Sequence, residues 1–226
     1  MNTQRFFRVS GLALVAGGAL SFGFNVVSAF FYGDTTTYAN QPLYIISEYA
    51  MAAATVLLLL GIPGVYASRA EGLGVIGLVG ATLLFISSVM NDVFGNLWAA
   101  MVEPWLATEA PKLAGGFGPP PFFAYYNVQE LLLVVGSVLL AIPVLRKRVF
   151  PRWPGFVLLV SVVVGIPIYF AALPSSLASS FVYTLPTLLL LAAFVGLGYQ
   201  TWSKPNADEI DSPAMARARM EATPTT

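Results

Sequence analysis

Residues 81–103 read ATLLFISSVMNDVFGNLWAAMVE. The stretch opens on side chains that lipid tolerates and then carries Asn91, Asp92 and Asn96 within the same apolar run. A carboxylate at the centre of a membrane helix costs about 2.5–3.5 kcal/mol, so it normally has a partner or a purpose. Two more acids, Glu48 and Glu130, sit inside other apolar runs of the chain. The fold class and the candidate site both follow from these placements.

The composition agrees with a membrane chain. Of 226 residues, 57% are hydrophobic and only 10% charged, against roughly 25% charged in soluble domains. Mean hydropathy is +0.76. Apolar runs near twenty residues recur, each long enough to cross a hydrocarbon core about 30 Å thick. Eleven basic and eleven acidic residues leave no net charge, which gives no support to a nucleic-acid partner. There is no Cys and no His. Disulfides, thiolate metal sites, His-ligated haem and imidazole acid–base chemistry are therefore excluded, and no cofactor is implied.

Six spans are expected, at about 9–31, 43–66, 73–101, 122–145, 154–173 and 181–202. The chain then reads as an all-α polytopic bundle over residues 1–203, followed by a disordered tail at 204–226. The first apolar region is too long for a signal peptide and carries Asn25 and several glycines. With the N-terminus in the cytoplasm, ten basic residues fall on inner segments and only Lys112 on an outer one. That bias predicts both termini inside a cell inner membrane. Trp98 and Trp105 then fall at the outer interface, Trp153 and Trp202 at the inner one. Pro63 and Pro143 near the inner ends, with Gly11, Gly74 and Gly155 opening spans, suggest three repeated hairpins.

Under this topology the polar residues gather in the outer half of the bundle. Residues three, four or seven apart share a helix face. Ser21, Asn25 and Ser28 form one stripe, Tyr44, Glu48 and Thr55 another, and Ser88, Asp92, Asn96 and Glu103 a third. Asn127, Glu130 and Ser137 form a fourth. Small and polar stripes allow close helix approach and should face the bundle interior. The expected site is an outward-opening pocket holding Glu48, Asp92 and Glu130, edged by Asn25, Asn96, Asn127 and Tyr183. No basic residue lies in the spans to neutralise it. A proton, a hard cation or water must do so. An aromatic-rich version would also suit a small amphipathic cationic ligand through cation–π contact.

The connection at 102–121 holds Pro104, Trp105 and the run GGFGPPP. It is expected to form a short interfacial helix over 104–113 and a flexible lid over the pocket. Three function classes follow. A ligand- or ion-binding membrane protein, with a transporter as one form, uses the carboxylates. A non-catalytic assembly subunit docks a partner on the polar outer face. An intramembrane enzyme lacks its parts, because Asp92 is the only aspartate in a span and no nucleophile–base pair appears. Besides the lipid bilayer the sequence specifies no partner, and nothing in it sets an oligomeric state.

Overall fold

The computed structural model describes residues 3–114, 120–147, 150–171 and 173–204. The tail beyond 204 and the glycine-rich part of the expected lid lie outside the described residues. Six helices are long and apolar enough to cross a membrane, and the chain is a multi-pass helical membrane protein. They are α1 (Thr3–Ser28), α3 (Pro42–Ala67), the composite of α4 (Ala70–Ser88) and α5 (Asn96–Glu109), α6 (Pro120–Lys147), α7 (Arg152–Phe170) and α8 (Leu177–Ser203). A one-turn helix, α2 (Thr35–Tyr38), lies between α1 and α3. It starts at Asp34, whose side chain accepts from the Thr36 N–H at 3.1 Å.

The spans alternate in direction, and each packs on its successor until α8 returns against α1. The result is a closed ring of three consecutive hairpins. With lipid outside, close approach rests on small residues rather than on hydrophobic drive. A methyl group built on Gly17 would lie 2.7 Å from both Ala54 O and Leu58 N. One built on Gly80 would lie 3.0 Å from Gly136 O and 2.6 Å from Leu140 N. Gly11 and Gly198 bring α1 equally close to α8. Leu14, Leu58, Leu73, Leu84, Leu158 and Leu197, each at most 1% exposed, fill the core between these contacts.

Two features depart from the expected elements. The third span does not stop near 101 but runs to Glu109, absorbing the expected interfacial helix. Pro104 sits inside α5, since its fixed φ suits a helix and only one ladder bond is lost. Between Ser88 and Asn96 the backbone forms a π-helix over Val89–Gly95. There the N–H bonds five residues back rather than four, and such segments are frequent at functional sites.

The end of the bundle opposite α2 is locked by Arg69. Its side chain is buried, and its Nη2 donates to Lys204 O at 2.7 Å and its Nη1 to Ser68 O at 3.4 Å. The guanidinium also lies 5.7 Å from the centroid of the Phe150 ring. One side chain thereby ties the α3–α4 turn, the α6–α7 connection and the end of α8. Five residues on, Gly74 adopts φ +60°, a conformation that side chains resist, and kinks the start of α4.

Candidate functional site

In the half of the bundle nearer α2, close packing gives way to a cavity of about 210 Å³. One water needs roughly 10–15 Å³ on that measure, so the space holds several. α1 contributes Ser21, Asn25 and Ser28 to its wall, and α3 contributes Glu48 and Thr55. Asn91 and Asp92 come from the π segment, Asn96 from α5 and Thr187 from α8. Leucines, Met51 and Phe194 complete the lining, and among the described residues no Lys or Arg takes part.

The π turn explains how three residues of one helix reach this space. In an α-helix Asn91 and Asp92 diverge by about 100°. Hydrogen bonding to the fifth residue back brings Asn91 and Asn96 toward one side, beside Asp92. Asn91 Nδ2 donates to Asp92 Oδ1 at 3.2 Å. Across the cavity Ser28 Oγ donates to Glu48 Oε1 at 3.3 Å. Glu48 is only 4% exposed, and this single long bond falls well short of the four or so sites a carboxylate offers. Asn25 turns its amide back to Ser21 O at 2.8 Å. Ser21 Oγ is buried with no hydrogen-bond partner among the described residues. A buried hydroxyl left so costs about 1–3 kcal/mol, and a bound species that it coordinates would remove that cost.

The structure thus brings Glu48, Asp92, Asn25 and Asn96 together, and does not bring the other three expected residues with them. Glu130 lines a separate cavity of about 70 Å³ between α6, α7 and α8. Asn91, Leu133, Thr187 and Leu190 belong to both walls, so the two spaces are neighbours. Asn127 faces α7 instead, where Tyr169 Oη donates to its Oδ1 at 3.3 Å. Tyr183 fastens the α7–α8 turn, donating to Ala171 O at 2.5 Å and accepting from Leu173 N–H at 3.1 Å. Depth along a span is readable from hydropathy, but the angle around the helix at which a residue meets its neighbours is not.

One acid was placed in a stripe but not in the expected pocket. Glu103 accepts from Tyr44 Oη at 2.8 Å, one helical turn from Glu48. Phe31, Tyr38 and Tyr44 pack edge to face or tilted around that bond, with centroids 5.0–6.1 Å apart. Tyr38 lies outside the spans, and burial raises its phenol above the ordinary value, so it stays neutral. Asn40 Nδ2 donates to Thr108 Oγ1 at 3.3 Å, closing this cluster against α5.

No family model, curated protein or solved structure matches the chain. The chemistry of the cavity is accordingly what supports a functional reading. Its oxygens are carboxylate, amide and hydroxyl, a set that suits hard cations. Among the described residues no three acids lie close enough to hold a metal ion together. Phe194 is the one aromatic side chain among the described residues of this wall, while Phe31, Tyr38 and Tyr44 gather around Glu103 instead.

Proposed function

We propose that this membrane protein binds a monovalent inorganic cation, with Na⁺ and the proton competing for Glu48 and Asp92. The observation that carries the reading is a cavity of about 210 Å³ within the spans, walled by two acids from different helices and, among the described residues, by no basic one. The unanswered Ser21 hydroxyl in the same wall supports it further. Two carboxylates beside amide and hydroxyl oxygens match a singly charged ion better than a divalent one, which usually gathers more acids. The basic-residue bias expected from the sequence would make the α2 end non-cytoplasmic, in a cell inner membrane, so the cation would enter from outside. Carriage of that cation, alone or with a solute, is the activity such a site would serve.

Isothermal titration calorimetry on purified protein, with sodium, potassium and choline chlorides at neutral and alkaline pH, tests the reading. Na⁺ should bind more weakly as pH falls, and about tenfold or more weakly in Glu48→Gln and Asp92→Asn. Choline should give no heat. Absence of binding by any inorganic monovalent cation, or equal affinity in both variants, would overturn it.

A further inference from the structure

We infer that the Glu130 cavity is a second cation station, the counterpart in the second hairpin of the Glu48 site. The inference rests on the cation reading above and deepens it.

The correspondence comes from helix packing. Gly17 of α1 meets the carbonyl of Ala54 and the N–H of Leu58, four residues on. Gly80 of α4 meets the carbonyl of Gly136 and the N–H of Leu140, again four residues on. Both positions on the second helix differ by 82 residues, and the glycines on the first helix by 63. The same offset of 82 carries Glu48 onto Glu130 and Thr55 onto Ser137. The offset of 63 carries Ser28, the donor to Glu48, onto Asn91, which lines the Glu130 cavity. The prolines that suggested a repeat, Pro63 and Pro143, lie two positions out of this register. Contact geometry fixes the alignment, and it superposes the acids.

The second position offers one acid where the first offers two, again with amide and hydroxyl oxygens in the wall. Glu130 is half-buried, and no described residue gives its carboxylate a hydrogen bond or a counter-charge. Ser137 Oγ, two turns along α6 and outside the lining of this cavity, is buried and without a partner among the described residues. A cation seated beside Glu130 would have Asn91, Ser161 and Thr187 within the same lining. Asn91 stands in the wall common to both spaces, so an ion passing from one carboxylate to the other stays beside an amide oxygen.

Binding of radiolabelled sodium to the purified full chain, counted per protein molecule, decides it. Wild type should hold two ions at saturation, Glu130→Gln one, Glu48→Gln one, and the double variant none. Both replacements are isosteric and remove a charge, and thermal unfolding of each variant verifies that it folds. A wild type that holds one ion, lost in Glu48→Gln and kept in Glu130→Gln, would overturn the second station and leave the first standing. Two ions retained in Glu130→Gln would overturn it as well. No bound sodium in wild type would remove both.

Discussion

Tyr44 on α3 donates its phenol to Glu103 on α5 across 2.8 Å, one turn from the buried Glu48. The bond holds together two helices that contribute to the cavity wall, and the rings of Phe31 and Tyr38 pack against its donor. Hydrogen bonds between membrane helices average about 0.6 kcal/mol, and those to charged acceptors in proteins run to about 1.5–3 kcal/mol. Tyr44→Phe should therefore lower stability by about 1 kcal/mol. Glu103→Gln, whose amide oxygen still accepts, should cost less. Thermal unfolding in detergent separates the two.

Glu48 should behave as a residue kept at the expense of stability. Its carboxylate is buried with one donor at 3.3 Å and no basic neighbour in the cavity wall. Glu48→Gln should unfold at the same or a higher temperature than wild type in sodium-free buffer. Sodium at a hundred times its dissociation constant should stabilise wild type by about 2.7 kcal/mol and leave the variant less affected. Melting curves with and without sodium check both halves.

Arg69→Ala should destabilise by about 3 kcal/mol, since it removes charge-assisted bonds to Lys204 O and Ser68 O and the contact with Phe150. Arg69→Lys should restore only part of this, because an ammonium cannot reproduce the planar fork. Denaturant unfolding, with sodium affinity as a control for a distant site, measures the difference.

Glycines should divide by their surroundings. Gly80→Ala places a methyl group 2.6 Å from Leu140 N and should cost about 1–3 kcal/mol by forcing α4 from α6. Gly23→Ala meets nothing within 4 Å and should be neutral or stabilising by up to about 1 kcal/mol. Unfolding midpoints of the two variants give the contrast directly.

Hydropathy made the six spans legible because each is an apolar run of about the length the membrane requires or more. It also made the depth of Glu48, Asp92, Asn25 and Asn96 legible, and the structure gathers these four around one space. Glu130 turns instead toward α7 and α8 and lines the adjoining cavity, while Asp92 and Asn96 of the same hairpin reach the first. Asn127 shares a helix face with Glu130 and Tyr183 shares only its depth, and both are taken up by bonds at the α7 side. Glu103 was obscured because Pro104 looked like the start of a separate helix, whereas the helix continues through it. The π segment left no mark in the sequence, since its residue types are those of any polar membrane helix.

The widened turn at Val89–Gly95 takes up one residue more than an ordinary turn while rotating the chain by the same angle. Excising that residue would let the ladder close in the ordinary way and leave α5 facing much as before, with Glu103 still toward Tyr44. Asn91 and Asp92, inside the turn, would diverge by the ordinary angle of about 100° and no longer share the cavity wall. One surplus amino acid thus re-aims the polar residues of a single storey without disturbing those above and below it. A single deletion should spoil the ion chamber while sparing the glycine seam beneath it.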